Sequence, residues 1–474
     1  MKTLIDVAET MKPRKKTTNR LIESMQTKNA LTHNGAITNE SSLNHCLDLF
    51  SKAGASRNIS EADIQNMFSK AYNEDSTAAL RIMFWARDVR EGAGERRFFR
   101  ICLQYLQGNQ PEVFKKITKH IPEFGRWDDV LYGDIDEASE MIEIALASGD
   151  ALCAKWMPRE KSSKRNLAYA LRKQLRLSPK QYRTVLANFS KTVEQEMSDK
   201  EWGDINYSHV PSMALNKYRN AFQRNDNDRF NEFNQKAIAG KVKVNAGAIF
   251  PQNIFSSWSN GGDSDSINAQ WQNLPNYTTD EMIIPVCDVS GSMSGLPMEV
   301  SVSLGVYLSE RNTGPFKDAF VTFSSNPELQ VLKGSATERF LQLKQANWRF
   351  NTNLQATMDL LLNKGIENNL SQAEMPSKIL LISDMEFDYC GQNTNQEVID
   401  AKFEAAGYKT PGIVFWNVNG RTGNSPVNKN NKNVALVSGF SPAILTSVLG
   451  GDDLTPMGVM NKTINKERYN KITT

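Results

Sequence analysis

The sequence predicts two unlike halves: an array of helices up to about residue 240, then a mostly parallel α/β sheet from about residue 281. Three observations carry this. Apolar residues recur at three- and four-residue spacing through the first half. Runs of four or five apolar residues alternate with helical stretches in the last third, the pattern of buried parallel strands covered on both faces. Between them, residues 241–280 change character: 255–264 are polar and Gly/Ser-rich, and the segment reads as a linker or long loop.

In the helical half, Ser60 followed by Asp63 forms a loose capping box, with Asp in place of the usual Glu. Ile64, Met67, Phe68 and Ala71 then share one face, and Ala79, Ile82, Met83 and Ala86 mark the next. Glu91-Gly92-Ala93-Gly94-Glu95 breaks that helix, and Phe98, Phe99, Cys102, Leu103 and Leu106 begin another stripe. Ser178-Pro179 is an N-cap with proline at the first helical position, followed by Tyr182, Val185, Leu186 and Phe189. Short loops between helical pairs indicate a HEAT-like stacked array, without a clean sequence repeat. In the α/β half the predicted strands are 283–287 (irregular at Pro285), 320–323, 379–382, 413–416 and 434–437. Helices are expected over 301–309 and 354–362. The expected division is 1–240 helical, 241–280 linker, 281–455 α/β and 456–474 a C-terminal tail.

Composition narrows the function classes. No apolar run among the 474 residues approaches about 18, the length that spans a bilayer, and residues 1–9 carry no apolar signal segment. Five scattered cysteines (46, 102, 153, 287, 390) and four scattered histidines form neither a disulfide framework nor a zinc motif. A reducing, cytoplasmic setting is the simplest expectation.

The sharpest motif is Asp288-Val289-Ser290-Gly291-Ser292, directly after a strand. Ligands of an open α/β sheet gather at the carboxyl ends of its strands. Asp, Ser and Ser at alternating positions there aim oxygens at one point, and hard oxygen donors suit Mg²⁺, Mn²⁺ or Ca²⁺. Asn351-Thr352-Asn353 and Ser383-Asp384 are expected to converge on the same edge. The plainer alternative is a polar loop whose Asp288 and serines cap the next helix. Glu386 and Asp388 read as solvated loop carboxylates.

A strand followed by Asp288-x-Ser290-x-Ser292, then Thr352, then Asp384, resembles the metal-ion-dependent adhesion site of a von Willebrand factor A domain, over residues 281–455. The resemblance implies a Rossmann-like fold. It implies Ser290, Ser292 and Thr352 as direct or near-direct ligands, Asp288 and Asp384 acting largely through water, and an open position that a partner's carboxylate fills. The segment from Phe84 to Arg97 is similar to part of the TROVE module of Ro-type RNA-binding proteins, which join a helical-repeat ring to a C-terminal A domain. Asn347-Trp348, Ser383 to Asp388 and Val414 to Asn417 are closer to an uncharacterised relative of that family. RNA binding is what this resemblance implies. Read by themselves, the charges between Arg87 and Arg97 pair locally around a turn made by Gly92 and Gly94.

Charge distribution points the same way. The whole chain balances 56 basic against 53 acidic residues, yet residues 155–191 hold eleven basic residues and one acid, Glu160, a local net of +10 (11 − 1). The residues expected to meet RNA are Lys155, Arg159, Lys161, Lys164, Arg165, Arg172, Lys173, Arg176, Lys180 and Arg183, with Lys191 completing the run. Lys12 to Lys16 add a basic arm. Trp156, Tyr169 and Tyr182 are interleaved and have the shape to stack on bases, but read first as core residues. No phosphate loop or nucleophile–histidine motif is present, so the expectation is a non-enzymatic RNA-binding scaffold, with structured or single-stranded RNA as partner. The alternatives are a metal-dependent protein adaptor that binds no nucleic acid and a metal-dependent nuclease.

Overall fold

The computed structural model describes residues 30–32, 35, 37–133, 135–189, 192–246, 248–324, 326–346, 353–387, 396–450 and 454–474. Helices dominate its first half and a six-stranded mixed sheet forms the C-terminal part.

Two short strands, β1 (Ala30–Leu31) and β2 (Ile37–Thr38), pair antiparallel. The helices that follow start where their caps dictate. Ser60 Oγ accepts from Asp63 N–H at 3.1 Å and donates to its carboxylate, so the predicted capping box forms before the helix Glu61–Glu74. Ser178 and Gln181 cap each other reciprocally before Pro179–Phe189. The helix Ser76–Arg87 ends in a turn that needs glycine, because a Cβ on Gly92 would lie 1.9 Å from the Trp85 carbonyl oxygen.

The sheet strands are β3 (Ile283–Cys287), β4 (Ala319–Thr322), β5 (Leu329–Val331), β6 (Lys378–Ser383), β7 (Gly412–Asn417) and β8 (Val434–Ser438). Their spatial order is β5-β4-β3-β6-β7-β8, all parallel except the edge strand β5. The five strands read from the sequence are all present; β5, three partly exposed residues long, has too little apolar signal to be read. Pro285 fits inside a central strand because its nitrogen faces β4, and that ladder begins only at Val286. Below that point Asn312 supplies the missing partners, its side chain bonding Ile283 N–H and C=O.

Both faces of the sheet are buried, which is why its strands read as continuous apolar runs. Ile284, Val286, Ile379, Leu381, Ile413, Phe415, Val434 and Leu436 point to one core with the helix Leu354–Glu367. Their alternates Ile283, Cys287, Leu380, Ile382, Val414, Trp416, Ala435 and Val437 join a second core that runs without a break into the helical half. At that junction the helix His45–Ala53 abuts β8: Ser438 donates to the Phe50 carbonyl at 2.9 Å and accepts from Gly54 N–H at 3.0 Å. Only glycine fits there, since a Cβ on Gly54 would stand 2.2 Å from the Ser438 carbonyl oxygen.

Two expectations about connecting segments are overturned. Residues 241–280 are not simply a linker: they contain the helices Pro251–Ser259 and Ser264–Gln272. Ile254, Phe255, Ile267 and Trp271 are buried, with Phe255 and Trp271 edge-on to Phe340. Ser256, Ser257, Ser259 and Ser264 lie on partly or fully exposed positions, Ser266 is buried against Asn234, and Asp263 caps the second helix. Residues 456–474 are not a tail either. The helix Pro456–Ile464 packs on β8 and on Ser76–Arg87. Tyr469 is fully buried, stacked on Phe124 and donating to Asp88 at 3.1 Å.

The charges from Arg87 to Arg97 do not pair locally. Arg87 bonds Asp129, Asp88 takes Arg468, and Glu95 takes Arg57. Those carboxylates and Arg87 are buried, so their counter-charges must come from other elements packed against the turn.

Candidate metal centre and basic face

The sheet order reverses between β3 and β6, and the chain leaves those two strands at Asp288 and Asp384. Both carboxylates therefore emerge side by side at the topological switch point, where open α/β sheets hold ligands. Each is about 1 % exposed. Asp288 is fully engaged: Oδ1 accepts from Ser290 N–H at 2.9 Å and Oδ2 from Ser383 Oγ at 2.7 Å. Ser290 Oγ and Ser292 Oγ lie 3.1 Å apart, and the Ser292 hydroxyl supports the Asp384 carboxylate. Asp384 Oδ1 accepts from Glu386 N–H at 3.1 Å, whereas its Oδ2 is buried and accepts no hydrogen bond from the described residues.

Burial pushes the Asp288 carboxyl up to about 6, against the hydrogen bonds from Ser383 and Ser290; the neighbouring Asp384 charge adds to the rise. Burial also raises Asp384. A cation at this edge would relieve both groups. The donor set fits a hard divalent ion: two adjacent hydroxyls, one unsatisfied carboxylate oxygen, and a second carboxylate already tied to the hydroxyl loop. Among the described residues no three His, Cys, Asp or Glu side chains gather as a metal group, so this donor set depends on its serines. Thr352 and Asn351 lie outside the described residues, as does Asp388. Asn353 caps the helix Leu354–Glu367 through Ala356 N–H at 3.0 Å.

Glu386 departs from expectation. It is buried, not solvated, and accepts from Asn424 Nδ2 at 3.1 Å. Asn424 also donates to the Met385 carbonyl and accepts from Thr38 Oγ1 at 2.8 Å, while Thr32 Oγ1 donates to the Phe387 carbonyl at 2.7 Å. The β1–β2 segment thus braces the acidic loop from some 350 residues away. Arg421 approaches the same loop, its Nη2 3.7 Å from Asp384 and its Nε 3.7 Å from Glu386. Nothing local in the sequence marks Asn424 or Arg421: their roles arise from loop packing, while Ser383, expected at this edge, bonds Asp288 through strand adjacency.

The basic run divides into paired and unpaired groups. Lys155 bridges both Glu194 oxygens at 3.2 Å. Arg172 and Arg183 share Glu160, at 3.0 and 3.5 Å, and Lys164 stands 3.7 Å from Asp128. Arg159 is partly buried, and one of its guanidinium nitrogens is enclosed without a hydrogen-bond partner among the described residues. Lys161, Arg165, Lys173, Arg176 and Lys180 are exposed and have no ion pair among the described residues. They lie on and around the helices Arg165–Gln174 and Pro179–Phe189. Lys191 and the Lys12–Lys16 arm lie outside the described residues.

The interleaved aromatics differ from one another. Tyr182 is a core residue, its hydroxyl donating to the Pro158 carbonyl at 2.9 Å. Trp156 is half-buried under the Arg126 guanidinium, 3.8 Å from its centroid. Tyr169 is not in the core: it is 59 % exposed, with the Arg172 guanidinium 5.1 Å from its ring centroid. The expectation of a core residue fails here because the helix Arg165–Gln174 buries only Ala168 and Leu171.

Comparison with known proteins divides the chain where the fold does. Residues 32–121 and 137–282 match a family model described as a domain of unknown function, DUF2828. Residues 282–472 match a second such model, DUF7788. The two models meet at residue 282, immediately before β3. An uncharacterized protein, L728, of Acanthamoeba polyphaga mimivirus is 29 % identical over 497 aligned positions, covering 91 % of this chain and 86 % of the relative. Because that alignment spans nearly all of both proteins, the chain is similar to the relative through the helical part and the sheet part alike.

Proposed function

We propose that this protein is a ribonucleoprotein scaffold of the Ro type. In this reading a HEAT-like helical module holds RNA on its basic face. A von Willebrand factor A-like C-terminal domain carries a divalent ion, Mg²⁺ or else Mn²⁺ or Ca²⁺, for a partner's carboxylate or for closing the molecule. The observation that carries the RNA part is the unpaired group Lys161, Arg165, Lys173, Arg176 and Lys180, exposed together with Tyr169. Cations without counter-charges release condensed ions from a phosphate backbone, and an exposed ring offers a stacking surface. Ser290, Ser292 and Asp384 are the described residues that would hold the ion, with Thr352 by resemblance; Asp288 positions the hydroxyl loop. A bound ion supplies a Lewis-acid centre for an anionic group. We read the site as one for binding rather than catalysis, because Asp288 has both oxygens committed to Ser290 and Ser383 and is poorly placed to act as a base.

Filter binding of labelled RNA across a salt series tests the RNA part. Wild-type protein is expected to retain RNA at low salt with a steep salt dependence. Changing Lys161, Lys173 and Lys180 together to Glu should weaken retention at least tenfold and flatten the log–log slope by about 2, at about 0.7 for each single-strand phosphate no longer neutralised. No retention by the wild type at low salt would end the RNA reading. In that event the adaptor reading gains, favoured by the unsatisfied Asp384 oxygen, and Asp288→Ala should abolish capture of an acidic partner. Intact RNA after incubation with Mg²⁺ separates a binder from a nuclease.

A further inference from the structure

The edge between β3 and β6 holds three buried carboxylates, Asp288, Asp384 and Glu386. Its hydroxyls and N–H groups do not balance that charge. The cation that faces it among the described residues is Arg421, in the loop after β7. Its guanidinium stands 3.7 Å from both Asp384 Oδ2 and Glu386 Oε1, beyond hydrogen-bond distance, and its side chain is 39 % exposed. Arg421 therefore neutralises Asp384 without a directional bond, from the rim. Glu386 does not rely on it for position, being held by Asn424 as well. Among the described residues, Asp384 Oδ2 is thus a buried oxygen without a hydrogen bond, and its nearby charge partner stands at the partly exposed rim.

We propose that Arg421 is the exchangeable counter-ion of Asp384, and that it sets the affinity and charge selectivity of this edge for cations. An ion entering at Asp384 Oδ2 displaces the guanidinium outward, so binding includes the cost of separating Arg421 from Asp384. The inference rests on the reading of this edge as a divalent-ion site. It predicts that removing a positive charge at the rim strengthens ion binding, whereas a residue that merely braces the loop would weaken it when removed.

Calorimetric titration of the full-length protein with Mg²⁺, and luminescence titration with Tb³⁺, test this. Arg421→Gln should bind Mg²⁺ about tenfold more tightly than wild type, and Tb³⁺ by a larger factor, since repulsion scales with the charge of the ion. Arg421→Lys, which keeps the charge, should stay near wild type. Equal or weaker Mg²⁺ binding by Arg421→Gln overturns the inference while leaving the ion site standing. If wild type binds neither ion and Asp384→Asn changes nothing, the site itself fails and the inference with it. The unsubstituted protein gives a second readout independent of the variants' folding. The Arg421 Nε–H resonance should move toward fast solvent exchange as Mg²⁺ is added, and an unmoved resonance under saturating ion overturns the exchange.

Discussion

Asp129 is wholly buried between two guanidinium groups. Arg87 donates to its Oδ2 at 2.8 Å and Arg100 to its Oδ1 at 2.7 Å, while Arg126 N–H adds a third bond at 2.9 Å. Asp129→Ala leaves Arg87, itself 5 % exposed, with an uncompensated charge. Loss of about 3–5 kcal/mol is expected in urea unfolding, the range for breaking one side of a buried pair; a loss under about 1 kcal/mol would show that water reaches Arg87. Its neighbour Asp128 titrates differently from a free carboxylate. Burial works to raise it, but Arg126, and behind it Arg100 and Lys164, hold it below the ordinary value. Its folded-state value lies below the unfolded one, so its stabilisation is present above the ordinary carboxylate range and is lost as pH falls through the folded value. Unfolding midpoints measured from about pH 5 down to about pH 2 should fall steeply in wild type and less steeply in Asp128→Asn. Equal slopes would mean that this cluster does not govern acid stability.

At the scale of elements, the legible parts are those whose burial is periodic. The five parallel strands were readable because both their faces are covered, which removes polar alternation and leaves short apolar blocks. The helices Pro251–Ser259 and Ser264–Gln272 were not, because serines interrupt their apolar spacing, even at Ser266, which is itself buried. The Tyr469 segment was not legible either: its burial depends on a pocket formed by Phe124 and Asp88, more than 300 residues earlier. Tyr469→Ala is expected to cost about 3–5 kcal/mol, the range for truncating a buried aromatic. Tyr469→Phe should cost about 1–2 kcal/mol, since Asp88 keeps Arg468. A neutral Tyr469→Ala in thermal unfolding would show that the terminal segment detaches freely. Likewise Ser438→Ala removes two buried hydrogen bonds between β8 and the helix His45–Ala53.

For the whole molecule, the continuous core predicts how it unfolds. One face of the sheet and the helices between His45 and Phe189 share a single buried apolar core. Scanning calorimetry should therefore show these parts melting together, with calorimetric and van't Hoff enthalpies close to each other. A separate bundle around Tyr207, Phe222 and Phe230 has its own core and is the part expected to open first. Two well-separated transitions, one for each half, would contradict the shared core.

Legible from the amino-acid order alone were the succession of the two halves, the five parallel strands, the helix starts at Ser60 and Ser178, and the oxygen-bearing loop after β3. These follow from local spacing, since periodicity, capping and strand-end position are properties of neighbouring residues. What each charge faces was settled by packing. It paired Lys155, Lys164, Arg172 and Arg183 with carboxylates and left five cations without an ion pair among the described residues. It exposed Tyr169, buried Glu386, and brought Arg421 to Asp384. Counter-charges and desolvation depend on which distant segments pack together, and a one-dimensional pattern does not encode that.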